Sequence, residues 1–354
     1  DGLLIKDGAV NNVAGKNLIQ NGAMTIAQRG TVTGLGAANA YALDQWQLSS
    51  TGGAARVTIS QDTDTPAGYG FSQKIDCTTV DSSVAATDLL AVTHKIEGQN
   101  TGVQNLLWGT SDAKTVTLSF WAKTDRSGGG NMGVSIQSAG TDYYATSVAI
   151  TSTWTKFTVV IPGSQNTVPV NDNSVELSVS FTLVAGSNFI QTAETWMTSS
   201  AWAVSGQTNL MDHADTDVWF TGVQLEVGSV ATDFEHEDIG TTLAKCLRYF
   251  WKADWNNEFR VATGYTITTT TTEFVLSTPV RMRTGSPSMT DSGNHLAIEI
   301  AGSGTGASSI ALGNAEDGGD RIEVVITHAV VAANVLCRVY ANNNSSYLTF
   351  STEL

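Results

Sequence analysis

Charged residues are scarce in this sequence of 354 residues. They make up 14% of the chain, against about a quarter in an ordinary globular domain. The 18 Lys and Arg against 33 Asp and Glu give a net charge of −15, and no basic patch is present to neutralise nucleic-acid phosphates. No run of about 18 apolar residues is present for a membrane span. The composition excludes nucleic-acid partners and membrane insertion, and the hydrophobic content of 41% is too high for a disordered chain.

Cysteine is also rare. Cys77, Cys246 and Cys337 lie far apart in the sequence, without a CxxC pair. Three cysteines at such spacings support neither a disulfide framework nor a thiolate metal site. We expect three buried thiols that behave as small hydrophobic side chains.

Alternating apolar and polar residues fill much of the chain. In the segment TVTLSFWAK, residues 115–123, the side chains of Val116, Leu118 and Phe120 fall on one face of a strand. The same period recurs, between turns rich in Gly, Ser and Asn, at residues 154–162, 175–184, 217–228 and 321–331. Short strands separated by such turns predict an all-β protein built from antiparallel sandwiches.

One segment has the periodicity of a helix. Leu243, Leu247 and Phe250 recur at helical spacing within residues 239–252, and strand patterns stand on both sides of it. The sequence therefore predicts four parts, which are an N-terminal extension or attachment segment at 1–16, a first β-sandwich at 17–236, a short linking helix within 237–255 and a smaller C-terminal β-sandwich at 256–354.

No motif of an enzyme stands out. None of the five histidines lies in a catalytic motif, and carboxylate pairs such as Glu226 with Asp233, which glycoside hydrolysis requires, have no recognisable setting. We therefore expect no catalytic residue.

Asp215 and Asp217 offer oxygen ligands two residues apart and are candidates for binding a structural calcium ion. They are weak candidates, because their spacing is not that of a complete calcium loop. No other cofactor is expected.

Aromatic residues are plentiful, with nine Trp and eight Tyr. Such rings can stack on the C–H faces of sugars while polar neighbours bind the hydroxyl groups. Phe120 and Trp121 are neighbours in a strand, so one of the two faces outward. Two further tryptophans lie in a predicted loop at 194–206, and a Tyr-Tyr pair at 143–144 follows a turn. The candidate carbohydrate-binding residues are therefore Trp121, Tyr143, Tyr144, Trp196 and Trp202. The alternative is that these rings pack under loops or against a neighbouring subunit. The strand residues Trp46, Trp154 and Trp219 are expected in the core.

Four motifs follow one another between residues 17 and 252. They are NLIQNGAMTIAQRGT (17–31) with YALDQWQLSS (41–50), WGTSDAKTVTLSFWAKTDRSG (108–128), WTKFTVVIPG (154–163) and TGVQLEVGSVATDFEHEDIGTTLAKCLRYFWK (221–252). In this order they resemble the motifs of bacteriophage tail-fibre and related virion appendage proteins. The sequence departs from that pattern at Asp233, where the family usually has Pro. Within residues 253–354, only the segment 278–290 has a weak similarity to the family's motifs.

The resemblance implies a jelly-roll sandwich of the carbohydrate-binding-module type within a homotrimeric fibre of the virion, assembled in the cytoplasm of the bacterial host. The N-terminal segment would contact other virion proteins, and the sandwich would bind host surface glycans without catalysis. The shared residues, such as Asp44 with Trp46, are implied to define the fold and not a site. Two alternatives stay open, which are a purely structural virion protein (a decoration, an adaptor or a head fibre) and, less favoured, a polysaccharide depolymerase.

Overall fold

The structure, a computed structural model, describes residues 15–35, 39–53, 56–315 and 319–354. Regular structure in these ranges is almost entirely β-strand, which confirms the predicted all-β class. The chain divides into two compact units, the first ending at Thr242 and the second running from Leu243 to Glu353. Most of the predicted attachment segment at 1–16 lies outside the described residues. Within those residues, no helix is long and apolar enough to cross a membrane.

The strands of the first unit are numbered in chain order. They are β1 (Val32–Leu35), β2 (Ala40–Tyr41), β3 (Trp46–Thr51), β4 (Arg56–Asp62), β5 (Ser72–Thr79), β6 (Leu89–Glu97), β7 (Val116–Thr124), β8 (Gly130–Ser138), β9 (Asp142–Ile150), β10 (Thr155–Ile161), β11 (Val175–Ala185), β12 (Ile190–Gln191), β13 (Ala203–Val204) and β14 (Asp217–Val227). A short helix, α1 (Thr101–Asn105), follows β6, and a single 3-10 turn, Ser187–Phe189, follows β11.

Twelve of these strands form the two layers of a sandwich. The first sheet has the order β1-β4-β5-β14-β7-β10 and the second has the order β2-β3-β6-β11-β8-β9. Neighbouring strands in both sheets are antiparallel, and the chain crosses repeatedly from one layer to the other, in the manner of a jelly roll. The two remaining strands, β12 and β13, form a small parallel pair.

Large rings fill the space between the two sheets. Trp46 is fully buried, and its ring centroid lies 6.1 Å from that of Phe181 and 5.6 Å from that of Phe220. The prediction that Trp46 belongs to the core is confirmed. For Trp219 the predicted burial is confirmed, but the ring is buried on the outer face of the sheet and not between the sheets, and the expectation that Trp154 is in the core is wrong. Val218 and Phe220 point inward, so the strand alternation turns Trp219 to the outer face, and Trp154 lies just before β10 and is half-buried.

Hydrogen bonds fix the turn that leads into β3. The indole N–H of Trp46 donates to the backbone oxygen of Asn21 at 3.2 Å, and the amide of Asn21 donates to the backbone oxygens of Asp44 and Ile26, both at 2.9 Å. The Asp44 carboxylate accepts from the backbone N–H of Gln28 at 2.8 Å. These residues of the first shared motif therefore hold the entry to the sandwich.

The second unit begins within the helix α2, which runs over Ile239–Leu247 and is shorter than the predicted segment at 239–252. The strands that follow are β15 (Phe250–Trp255), β16 (Arg260–Thr266), β17 (Thr271–Ser277), β18 (Ser288–Asp291), β19 (Leu296–Ile300), β20 (Ser303–Ala315), β21 (Arg321–His328), β22 (Leu336–Ala341) and β23 (Ser346–Ser351). Phe250 matches the helical spacing by coincidence, because it pairs with Ser351 at the start of β15, and this tertiary pairing overrides the local pattern.

Six strands of the second unit close into a barrel with the order β16-β17-β21-β20-β19-β22, and β15-β23-β18 form a separate sheet. The sequence predicted a small sandwich here, and closure into a barrel corrects that expectation. The alternating strand pattern is common to both architectures, whereas closure depends on pairing between β16 and β22, which lie far apart in sequence. All three cysteines are buried and none forms a disulfide, as the sequence predicted.

Candidate functional site

A row of alternating tryptophan and lysine side chains crosses the outer face of the first sheet. Trp219 on β14 lies opposite Lys123 on β7 and opposite Lys74 on β5. Trp154 precedes Thr155, which pairs with Ala122, so its ring lies beside Lys123. We call these four residues, Trp154, Lys123, Trp219 and Lys74, the Trp–Lys row.

Cation–π contacts join the members of the row. The ammonium nitrogen of Lys123 lies 4.4 Å from the ring centroid of Trp219 and 5.4 Å from that of Trp154. The ammonium nitrogen of Lys74 lies 5.4 Å from the ring centroid of Trp219. Ammonium groups at these distances are attracted by the negative face of the ring. Trp219 is consequently 8% exposed although it is on the outer face, whereas Trp154 is only half-buried.

Two carboxylates complete the row. Asp64 forms an ion pair with Lys123 and accepts a hydrogen bond at 2.9 Å from the indole N–H of Trp154. The indole N–H of Trp219 donates to Asp62 at 3.3 Å. The hydrogen bonds from Lys123 and Trp154 hold the pKa of Asp64 below its usual range. The Asp64 side chain is 47% exposed, so this charged carboxylate faces solvent beside the rings.

A second group of rings lies on the same face. Trp121, opposite Thr221, lies beside Tyr69, and burial raises the pKa of the Tyr69 hydroxyl. The ring centroid of Tyr69 lies 5.3 Å from that of Phe234 and 5.4 Å from that of His236. These residues lie above the bulge of β14. Together with the Trp–Lys row they form the aromatic platform, which consists of Trp154, Lys123, Trp219, Lys74, Trp121, Tyr69, Phe234 and His236.

Glycine at position 222 makes room for Tyr69. Gly222 has a φ of +62° and lies in the irregular part of β14, between Thr221 and Gln224. A Cβ atom at this position would stand 2.7 Å from the Tyr69 ring. Both the left-handed backbone conformation and the close approach of the ring therefore require glycine.

Of the five predicted carbohydrate-binding residues, only Trp121 lies on this platform. Tyr144 is a correction, because it points between the sheets, is 4% exposed and belongs to the core. Trp196 packs on it with ring centroids 5.6 Å apart, contacts Trp108 at 5.2 Å, and donates its indole N–H to the backbone oxygen of Pro162 at 2.8 Å.

The remaining two candidates lie against the second sheet. Tyr143 accepts a hydrogen bond at 2.8 Å from Gln137, and its backbone bridges to Met197. The indole N–H of Trp202 donates to Ser200 at 2.9 Å, and its backbone oxygen accepts from the Thr182 hydroxyl at 2.8 Å. The predicted loop 194–206 therefore packs on the sheet, and both rings are half-buried. Ligand contact by these residues stays a prediction.

Sequence reasoning found only Trp121 of the platform because it assigned Trp154 and Trp219 to the core. The signal that identifies Trp219 is present in its neighbours, since Val218 and Phe220 are both apolar and only one face of a sandwich strand is buried. Tyr69 and Phe234 are in segments without a strand pattern, and only the folded structure brings them to Trp121.

Of the two weak metal candidates, Asp217 has another partner. Asp217 forms an ion pair with Lys74 at 2.7 Å, while burial raises the pKa of its carboxyl to about 6. Asp215 is exposed in the turn before β14 and has a φ of +63°. The part of the chain that the structure describes contains no group of three or more His, Cys, Asp or Glu side chains arranged for a metal ion. A structural calcium ion stays a prediction.

Comparison with known proteins gives likenesses of structure only. No protein-family model matches the chain, and no curated protein sequence matches it. One similar solved structure is the enzymatically active domain of tailspike protein 4 of bacteriophage CBA120, at 14% identity and a TM-score of 0.32, covering 60% of this chain and 22% of that one. A second is the CBM22-1 xylan-binding domain of a Paenibacillus barcinonensis protein, at 10% identity and a TM-score of 0.30, covering 61% and 96%.

A third similar structure is the family 11 carbohydrate-binding module of Clostridium thermocellum in complex with a β-1,3-1,4-mixed-linked tetrasaccharide. It is 12% identical to this chain, with a TM-score of 0.29, and the match covers 58% of this chain and 98% of that module. The fold of this chain is established by its own strand order and strand register.

Proposed function

We propose that the first unit binds carbohydrate, without catalysis, on the aromatic platform of its first sheet. The observation that carries this proposal is the Trp–Lys row with Trp121 and Tyr69 beside it. Half-buried rings offer flat apolar faces, and the Asp64 carboxylate and the lysine ammonium groups lie within the same surface. A pyranose presents an apolar C–H face and a rim of hydroxyl groups, so this combination of side chains suits it.

We further propose that the chain is part of a bacteriophage tail fibre or virion appendage and that the carbohydrate is a host cell-surface glycan. The four sequence motifs in residues 17–252 support this role. A homotrimer, attached to other virion proteins through the N-terminal segment, would present three platforms to one surface. Weak single sites would then give strong attachment, because linked sites raise the effective concentration of the second and third contacts.

A glycan array tests the binding proposal. The parent chain should bind a limited set of glycans, and Trp121→Ala and Trp154→Ala should each weaken that binding about tenfold, the loss expected for one ring contact of about 1.4 kcal/mol. Trp202→Ala is the matched control, since it removes a half-buried tryptophan on the other sheet. Equal binding by parent, Trp121→Ala and Trp154→Ala would remove the platform as the site. Loss of binding only in Trp202→Ala would move the site to the second sheet.

The alternatives give different results. A purely structural virion protein would be covered by other virion proteins in the intact particle. Thr158 is exposed on β10 and pairs with Ser119 of β7, on the outer face beside the platform. Labelling of Thr158→Cys by a cysteine-reactive probe would distinguish an accessible outer face from a covered one. A polysaccharide depolymerase would release oligosaccharides from host capsule or cell-wall glycan. We propose no such activity, and incubation followed by chromatography of the products checks this.

A further inference from the structure

A groove in the second unit runs along both sides of Trp255. On one side it has a volume of about 390 Å³ and is lined by Lys252, Asp254, Trp255, Asn256, Asn344, Ser345, Ser346 and Tyr347. On the other side it has a volume of about 590 Å³ and lies between β15 and the barrel strands β16 and β17. Lys252, Asp254 and Trp255 line both parts, and we call the two parts together the Trp255 groove.

The strand β15 holds the Trp255 ring in place. Trp251, Ala253 and Trp255 share one face of this strand, opposite Phe350, Leu348 and Ser346. Trp251 stacks on Phe350 with ring centroids 5.3 Å apart and an angle of 26° between the planes. Trp255 packs partly against the same core and stays half-buried at the end of the strand. One part of its ring is therefore anchored while another part forms the wall of the groove.

The polar lining of the groove is electrically balanced. It contains one lysine and one aspartate, and the ammonium nitrogen of Lys252 lies 4.8 Å from the ring centroid of Tyr347, the residue opposite Asp254. The other polar groups include the amides of Asn256 and Asn344 and the hydroxyl of Ser345, whereas the Ser346 hydroxyl is buried and donates to the backbone oxygen of His295 at 2.7 Å. Amides and hydroxyls both donate and accept hydrogen bonds, as the hydroxyl groups of a sugar do.

The other part of the groove supplies apolar contact. Val261 and Val275 line it next to Trp251 and Trp255, and Val275 is 53% exposed. Aromatic and aliphatic walls with a few amides and hydroxyls are typical of sites for small neutral polar ligands, and both volumes fall in the usual range of about 300–1,000 Å³ for such sites. A polyanion is disfavoured, because the chain carries a net charge of −15 and the lining has no excess of positive charge.

We propose that the Trp255 groove is a second carbohydrate-binding site, which takes a short neutral oligosaccharide with one sugar ring against Trp255 and its hydroxyl groups on Asn256, Asn344 and Ser345. Every residue of this site belongs to the second unit. The proposal therefore does not depend on the aromatic platform, and either site can exist without the other.

Fluorine NMR of the full chain labelled with 5-fluorotryptophan tests this proposal and keeps it separate from the first. The nine tryptophans give nine resonances, and single Trp→Phe variants assign those of Trp255, Trp251, Trp121 and Trp154. The probes are β-1,4-linked glucose, xylose and mannose hexasaccharides at about 10 mM, well above a dissociation constant of about 1 mM, which corresponds to roughly 4 kcal/mol. At least one hexasaccharide should shift the Trp255 resonance in a saturable way.

Different tryptophan resonances test the two proposed sites. Shifts at Trp121 and Trp154 with none at Trp255 for any hexasaccharide would overturn the groove and leave the platform intact. Shifts at Trp255 alone would support the groove and count against the platform. A hexasaccharide with a terminal uronic acid that binds more tightly than its neutral counterpart would overturn the neutral class of ligand.

Variants of the groove give an independent measurement. Trp255→Ala should weaken binding of the shifting hexasaccharide about tenfold, as loss of one stacked ring predicts. Ser345→Phe fills the groove from an exposed turn without removing a core contact, so it should abolish binding even if Trp255→Ala folds poorly. Tyr265→Ala is the matched control, because it removes an aromatic side chain of the same unit that is 42% exposed and outside the lining. Binding by Ser345→Phe at the affinity of the parent would overturn the proposal.

Discussion

His94 stands edge-on against Trp46 in the core of the first unit, with ring centroids 5.1 Å apart and an angle of 61° between the planes. The Nε2 atom of His94 accepts the backbone N–H of Gln20 at 3.1 Å, so the ring is in its neutral form. His94 is completely buried, and this burial lowers its pKa from 6.5 to about 3. The segment before β3 therefore depends on an uncharged histidine.

Acidification should destabilise the first unit through this histidine. The unfolded chain binds a proton at His94 below pH 6.5, whereas the folded chain does so only near pH 3. The stability that the neutral ring contributes is therefore fully present above pH 6.5 and is lost as the pH falls toward 3, at about 1.4 kcal/mol per pH unit, or roughly 2 kcal/mol at pH 5. Urea unfolding at pH 7.5, 6 and 5 measures this slope.

The matched variants are His94→Gln, which keeps a polar acceptor but cannot titrate, and His213→Gln, which replaces an exposed histidine. His94→Gln should flatten the dependence of unfolding free energy on pH between 6.5 and 5, while His213→Gln should leave it close to that of the parent. An unchanged slope in His94→Gln would show that other groups cause the acid sensitivity.

Replacement of Asp44 by Asn should cost about 2 to 4 kcal/mol of unfolding free energy, because a buried carboxylate that accepts hydrogen bonds is lost while its donors stay in place. Asp44 is fully buried and accepts both the backbone N–H and the side-chain amide of Gln28, at 2.8 and 2.9 Å. Asp112→Asn, at an exposed position, should change stability by less than about 0.5 kcal/mol. Thermal unfolding of both variants at pH 7.5 makes the comparison.

Glycine substitutions can separate backbone strain from ring contact at the platform. Gly222 and Gly128 both have positive φ angles, +62° and +80°, but a Cβ atom at Gly222 would touch the Tyr69 ring and one at Gly128 would meet nothing within 4 Å. Gly128→Ala should cost about 1 kcal/mol for strain alone. Gly222→Ala should cost more and should also displace Tyr69 from Trp121. Equal losses of stability, measured by urea unfolding, would mean that the ring moves aside freely.

Removal of the Lys123 side chain should expose Trp219 to solvent. Lys123→Ala takes away the ammonium group that lies 4.4 Å from the Trp219 ring and the methylene stem that covers it. Acrylamide quenching of tryptophan fluorescence should rise, while stability should change by no more than about 1 kcal/mol because the ion pair with Asp64 is partly solvated. Arg56→Ala, at an exposed position on β4 that pairs with Thr79, should leave the quenching unchanged. Quenching equal to that of the parent in Lys123→Ala would contradict the arrangement of the row.

The sequence predicts the class and the sandwich of this protein because alternation along a strand is a local property. The segment 115–123 shows this, since Val116, Leu118 and Phe120 are buried in the core as predicted. Closure of the barrel could not be predicted, because the pairing of β16 with β22 joins residues 71 to 80 positions apart and has no local sequence pattern. The helix was predicted too long for the same reason, since β15 forms only by pairing with β23.

The platform shows which part of a site a single sequence can reveal. Alternation identifies Trp121 as one outward residue, next to the buried Phe120. It does not reveal that Tyr69, far earlier in the chain, lies beside Trp121, or that Lys123 lies between two tryptophans. Such groupings are set by the order of strands in the sheet, and that order is a property of the whole fold.

One backbone contact in the first unit has a consequence for synthesis. The N–H of Leu18 donates to the oxygen of Leu225 at 2.9 Å, and β14, which contains Leu225, lies in the middle of the first sheet between β5 and β7. A ribosome adds about 5 to 20 residues per second, so β5 and β7, which precede β14 by about 145 and about 100 residues, wait roughly 5 to 30 seconds for their central partner. During that time the edges of β5 and β7 that pair with β14 are open in the nascent chain, and we expect the first unit to complete its fold only after release of β14 from the ribosome.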